Sequence, residues 1–179
     1  MDDGQLVERA RGGDTSAFGV LVERHQSRIY ATLAKLTGDP DQALDLSQDA
    51  FIRAWEQLSS FEGRSAFTTW LYRIAVRLAY DELERGRRTS PLESAAAAAD
   101  PSPGPQALVE SESAAADLRR RIEKLPALQR AVVVMRAYDE LPYREIAEIL
   151  GTTENSARVS FHHAITRLRG EYAENTRIR

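Results

Sequence analysis

Arg73, Arg77, Tyr80 and Arg87 recur at intervals of four, three and seven along the stretch 67–88. That combination suits one chemistry: guanidinium groups can hold phosphates, and a flat ring can stack on an unpaired base. Thr69 and Val76 share or border the same side at 100° per residue. Phe67, Leu71, Ile74 and Leu78 form the opposite, inward stripe. Ahead of them Ser59–Ala66 is a short, polar, Gly-bearing loop suited to wrapping something small, and Ser65 is the expected N-cap of the helix that follows. Trp70 has two readings, a core tryptophan beside the apolar stripe or a ring that meets a base at its edge. Arg85, Arg87 and Arg88 end the stretch as phosphate clamps or as an ordinary solvated helix end.

A second set of polar groups precedes the first. In Asp41–Leu58 the apolar residues Leu44, Phe51, Trp55 and Leu58, spaced by seven, four and three, are expected to be buried together. Asp45, Gln48, Asp49, Ile52 and Arg53 lie beside them on a strip that can stay exposed. A polar strip around one isoleucine suits a helix-to-helix interface with charge-set register, or is simply a solvated acidic face.

A third set lies near the C-terminal end. Tyr143–Leu150 and Glu154–Tyr172 read as helices joined by Gly151-Thr152-Thr153, a helix-turn-helix spacing. Ala157, Phe161, Ala164, Leu168 and Tyr172 share an inward face of the second helix. Asn155, Ser156, Val159, His163 and Thr166 look outward, with Arg158 and His162 on the flanks. Such outward groups can reach base edges: Arg, Asn and Ser by hydrogen bonds, Val or a Thr methyl against the thymine methyl.

The elements that must carry these groups are helical throughout, with no alternating pattern that would make a strand. Gly4–Arg11 forms a short helix stopped by Gly12-Gly13. Asp14-Thr15-Ser16 caps a second helix with Phe18, Leu21, Val22, Ile29 and Leu33 inward, ending near Thr37-Gly38. Asp39-Pro40 opens the third. Residues 89–117 hold four of the seven prolines, five consecutive alanines at Ala95–Ala99 and no cation, the composition of a tether. Leu118, Ile122 and Leu125 then continue one helix to Pro126, and Pro126–Tyr138 forms another around Leu128, Val132 and Met135. The fold class is all-α: two small helical domains, 1–88 and 118–179, joined by an acidic Pro/Ala-rich linker over 89–117.

Charge and composition narrow the function further. Of 179 residues, 28% are charged and 42% apolar, and the net charge is −3. Residues 118–179, however, carry 12 basic and 8 acidic side chains, while 89–117 carry 5 acidic and no basic ones. A basic C-terminal module therefore stands behind an acidic middle. With no cysteine there is neither a disulfide nor a Cys-based zinc site, and three histidines, two of them adjacent, do not set up a metal site. Nothing reads as a nucleophile–base pair, a phosphate-cradling Gly loop or an HExxH helix, so no catalysis and no cofactor are expected. No apolar run reaches the ~20 residues of a membrane span and the N-terminus is acidic, so a cytoplasmic chain with no membrane insertion is expected.

The segment LDLSQDAFIRAW (44–55), followed by FEGRSAFTTWLYRIA (61–75), resembles region 2 of the extracytoplasmic-function (ECF, group 4) sigma factors. LPYREIAEILGTTENSARVSFHHAITRLR (141–169) resembles their region 4. The resemblance implies a subunit that binds core RNA polymerase, through the β′ clamp helices and the β flap, and directs promoter recognition, −10 melting and initiation. It implies that Phe61, Ser65, Trp70, Arg73, Arg77, Tyr80, Arg85, Arg87 and Arg88 meet −10 DNA. Arg144, Thr153, Asn155, Ser156, Arg158, Val159, His162 and His163 would meet the −35 element. Asp45, Gln48, Asp49, Ile52 and Arg53 would grip polymerase. It further implies an anti-sigma partner, and a linker threaded near the RNA exit path. The chain departs from the family pattern at Arg77, where asparagine is common, at Val159, commonly small or polar, and at Ser160 and His163, commonly basic. The rival reading from another class is a free-standing helix-turn-helix regulator that binds duplex DNA without polymerase. A third reading is an adaptor that uses only its protein-facing helices.

Overall fold

A computed structural model describes the backbone of residues 1–89 and 108–177, and the side chains of residues 1–86 and 114–170. Among the described residues the regular structure is helical, without a strand. The expected Ala95–Ala99 segment and most of the expected linker lie outside the described residues. The contacts divide the chain into two units, Met1–Tyr80 and Asp81–Arg179.

In the first unit, α1 (Asp3–Arg11) begins with a reciprocal cap. The Gln5 amide donates to the Asp2 carboxylate at 2.9 Å, and the Asp2 amide donates to Gln5 Oε1 at 3.0 Å. Asp14 caps α2 (Thr15–Thr37) through the Ala17 amide, and Gly38 closes it at φ 76°, a left-handed conformation that glycine adopts without steric cost. Asp39 caps α3 (Pro40–Glu56), with Pro40 in the first turn where its missing N–H is no loss. α3 ends at Glu56, two residues before the expected Leu58, and a 3-10 turn, Leu58–Ser60, runs on into the stretch expected to be loop. Asp3 ties α1 to α2, accepting from Arg24 Nη1 at 2.9 Å and lying 2.8 Å from His25 Nε2.

The buried face of α3 differs from the expected one. Leu44 is 50% exposed and Trp55 37% exposed, although Phe51 and Leu58 are buried as expected. The core-facing residues are Ala43, Leu46, Ser47, Ala50, Phe51 and Ala54. Three alanines and a serine make up most of this inward arc, which lies about a quarter-turn from the stripe of Leu44, Phe51, Trp55 and Leu58. Leu44 and Trp55 are left on the rim, Trp55 with its ring 5.0 Å from that of Phe18.

Helix α4 (Phe67–Thr89) starts two residues after the expected cap. The amides of Thr69 and Trp70 bond to the carbonyl of Ala66, while Ser65 Oγ donates to that same carbonyl at 3.4 Å. Ser65 therefore does not cap the helix. Phe67, Leu71, Tyr72, Ala75, Val76, Leu78 and Ala79 are buried, a span of about half the helix circumference. Val76, expected at the outward edge, falls inside that wide arc and is fully buried.

In the second unit, α5 (Leu108–Glu123) begins within the stretch read as linker. After Pro105 the run of Ala, Glu and Leu has high helix propensity, and nothing in it breaks a helix. α6 (Ala127–Val133) passes into one π-helical turn, Val134–Tyr138, where one uniform helix was expected. Glu140, at φ 56°, lets the chain reverse into α7 (Tyr143–Leu150) and then α8 (Glu154–Arg177). Ile122, Leu125, Val133, Ala164 and Leu168 form one buried cluster, with Leu118, Phe161 and Ile165 packed against it.

Candidate nucleic-acid interface

The loop before α4 folds back on aromatic rings. Phe61 lies 5.0 Å from Trp70, Phe67 lies 5.9 Å from Trp70, and Phe61 meets Phe67 edge-on at 6.2 Å. Phe61 and Phe67 are buried and Trp70 is half-buried, so the two readings of Trp70 are compatible: its inner side packs while part of it stays accessible. Phe61 is the floor of this cluster rather than a freely presented ring. Gly63, at φ 70°, shapes the loop, and the exposed Arg64 is paired with Glu62. The ring of His25 on α2 stands 5.8 Å from Phe67, joining the cluster to the rest of the unit.

Ser65, in the loop, is half-buried; along α4, Arg77 is exposed, Arg73 and Tyr80 are half-buried, and the Arg77 guanidinium carbon lies 6.0 Å from the Tyr80 ring centroid. Arg85 is exposed and paired with Glu82 at 3.1 Å. Arg87 and Arg88 belong to α4 by their backbone, and their side chains lie outside the described residues. Arg73, Arg77 and Tyr80 thus follow one another along α4 from an aromatic cluster, with Glu84 on the same side at 100° per residue; guanidinium groups attract backbone phosphates and the rings offer π-faces to unstacked bases.

On α3, Asp45, Gln48, Asp49, Ile52 and Arg53 are all exposed, as expected. The exposed Leu44 and Trp55 extend this strip, and sequence reasoning missed them by assigning them to the core. The signal that could have found them is the alanine repeat Ala43, Ala50 and Ala54, which marks the close-packed side.

In the second unit Gly151, at φ 63°, makes the turn between α7 and α8, and its amide donates to the carbonyl of Ala147. Thr153 Oγ1 accepts the Ser156 amide at 3.1 Å and so caps α8. Ala157, Ala164 and Leu168 are buried and Phe161 is half-buried, the inward face expected; the Tyr172 side chain lies outside the described residues. Asn155, Arg158, Val159, His162, His163 and Thr166 are exposed and Ser156 is half-buried. Thr166 Oγ1 donates to the carbonyl of His162 at 2.9 Å, which turns its hydroxyl toward its own helix. Arg158 donates to Glu154 at 2.8 Å, and its guanidinium carbon is 5.6 Å from the Tyr143 ring centroid. Arg144 is exposed and 3.5 Å from Glu148.

Among the described residues two titrating groups are displaced. Asp14 is held down to about 2 by the Ser16 hydroxyl, then by Arg9 and the Ala17 amide. Arg130 on α6 is lowered by burial, which the charge of Glu123 opposes. Neither belongs to the outward faces just described. No described helix is long and apolar enough to cross a membrane.

Comparisons with known proteins cover both units. Residues 21–89 match the family model for Sigma-70 region 2, and residues 115–168 match that for Sigma-70, region 4. The chain is 38% identical over 168 residues to the ECF RNA polymerase sigma-E factor of Escherichia coli (strain K12), covering 88% of this chain and 87% of that one. It is 37% identical over 158 residues to the RNA polymerase sigma-H factor of Pseudomonas aeruginosa, covering 83% and 82%. Among solved structures, CnrH in complex with the cytosolic domain of CnrY shares the fold at a TM-score of 0.67 and 24% identity, over 96% of this chain and 97% of that one. The sigma factor RpoE in complex with the anti-sigma factor NepR from Bartonella quintana shares it at 0.62 and 22%, over 86% and 94%. Both halves of the chain, and the order in which they occur, are those of these relatives: it belongs to the ECF RNA polymerase sigma factors.

Proposed function

We propose that residues 1–88 form the module that binds core polymerase and −10 DNA, that 118–179 form the −35 module, and that 89–117 tether them. The observation that carries this division of labour is the pair of outward helix faces. On α4, Arg73, Arg77 and Tyr80 follow an aromatic cluster; on α8, a capped helix after a glycine turn presents Asn155, Ser156, Arg158, Val159, His162 and His163. The first arrangement suits unpaired bases and their phosphates. The second suits base edges in the major groove.

In the −10 module, Trp70 with Phe61 behind it receives an extruded base, and Ser65 lines the approach. Arg73, Arg77, Tyr80, Arg85, Arg87 and Arg88 hold the strand. Melting draws on binding energy and on capture of unpaired bases. In the −35 module, Ser156, Arg158, Val159 and His163 read bases. Arg144, Thr153, Asn155 and His162 complete the −35 contact. Asp45, Gln48, Asp49, Ile52 and Arg53 dock on the β′ clamp helices, and the second unit engages the β flap. An anti-sigma factor masks both modules, as NepR binds the structurally similar RpoE. The free-standing regulator draws no support from the relatives matched.

Run-off transcription with purified core polymerase tests the proposal. Transcript from a matching promoter is expected only when this chain is added. Polymerase-independent shifting of duplex promoter DNA, with transcription indifferent to the chain, would favour the regulator instead.

A further inference from the structure

Tyr143 opens α7 and is half-buried, and two guanidinium groups from different elements converge on its ring. The Arg136 carbon lies 5.1 Å from the ring centroid and the Arg158 carbon 5.6 Å. Phe161 meets the same ring at 5.9 Å and 66°, which fixes it against α8. Arg136 is itself anchored, donating from Nη1 to the carbonyl of Leu141 at 3.0 Å. Arg158 has a second restraint within its own helix, the 2.8 Å bond to Glu154.

An exposed arginine on a helix ordinarily samples many rotamers, and each must be frozen out when the side chain reads a base. Here the ring face on one element and the carboxylate on another already narrow the choice. From this convergence we infer that Tyr143 is a positioning residue for −35 discrimination: it holds Arg158 in the orientation from which it reads its base, so that α7 as well as α8 sets promoter choice. The inference rests on the proposed reading of the −35 element by Arg158. Tyr143 need not touch a base. Its ring does the positioning, so phenylalanine serves in its place and leucine, equally apolar but without a π-face, does not.

The test measures initiation by reconstituted holoenzyme on a promoter library randomised across the −35 element. R158A identifies the base pair whose discrimination Arg158 provides. Y143L is expected to lose about two- to fivefold of the discrimination at that same base pair, the range of one exposed cation–π contact, and Y143F none. In the R158A background Y143L should add no further loss at that pair. E154Q, an exposed change that leaves the ring in place, should produce a partial loss at the same pair, and thermal melts establish that each variant is folded. Full discrimination in a folded Y143L, or a Y143L loss that persists undiminished without Arg158, overturns the inference. An R158A profile equal to the parent overturns the −35 reading of Arg158 itself, and that outcome is distinguishable because it appears in the R158A arm alone.

Discussion

Individual side chains carry the sharpest expectations. Trp70 combines packing against Phe61 and Phe67 with partial exposure, so Trp70→Leu keeps an apolar contact and removes the flat face. Loss of a base stack amounts to about 1–3 kcal/mol, and open-complex formation on the −10 element should fall accordingly while −35 selectivity is unchanged. Permanganate reactivity of the melted strand checks this. Asp14 makes a prediction about stability. Its carboxyl sits at about 2 against an ordinary 3.8, so its contribution is fully present above the ordinary value and is lost as pH falls from about 4 towards 2. Asp14→Asn should therefore melt at a lower temperature than the parent near neutrality, and the two should converge at the acid end of a melting series. Added salt should shrink the part due to Arg9. The outward groups of α8 were legible residue by residue, since 100° steps place them without further information. The Tyr143 contacts with Arg136 and Arg158 were not, because they join three separate elements.

Some helix ends were legible and others, such as the start of α4, expected at Ser65, were not. Asp14, Asp39, Pro40, Gly38 and Gly151 mark starts and stops through groups that only their own backbone needs. Gly151 is the sensitive one: at φ 63° any side chain is strained, and Gly151→Ala should destabilise the second unit by about 1 kcal/mol and weaken −35 selectivity with it. Urea unfolding of the full chain, alongside initiation from −35 variants, measures both. Helix α3 shows what periodicity alone does not decide. Its apolar residues form more than one possible stripe, and the small side chains Ala43, Ala50 and Ala54 won because they allow the closest approach. Leu44 and Ile52 are consequently exposed next to Asp45, Gln48 and Asp49. Ile52→Asp should leave the melting temperature nearly unchanged, as surface substitutions usually stay within about 0.5 kcal/mol. Affinity for core polymerase, followed by fluorescence anisotropy, should drop at least about tenfold, as expected where an exposed apolar group is an interface anchor. A polymerase affinity equal to that of the parent would place the interface elsewhere.

For the whole molecule, a net charge of −3 with the basic excess gathered after residue 118 predicts weak, salt-sensitive binding of the free chain to duplex promoter. Mounted together on polymerase the two modules act at high effective concentration, and the gain should be about a hundredfold or more. Comparing promoter affinity for the free chain and the holoenzyme across a salt series checks this; comparable affinities would remove the need for the enzyme as a scaffold. The sequence by itself determined the all-helical class, the helix starts at Asp14 and Asp39-Pro40, the glycine stops at Gly38 and Gly151, the exposure of Arg77 on α4 and the outward face of α8. Those features depend on groups within a few residues of one another. The tertiary structure alone decided which side of α3 is buried, how wide the buried arc of α4 is, that Trp70 sits on Phe61 and Phe67, and that Tyr143 gathers Arg136 and Arg158. Each is settled by how closely two elements can approach, and that depends on the volumes of side chains far apart in the chain.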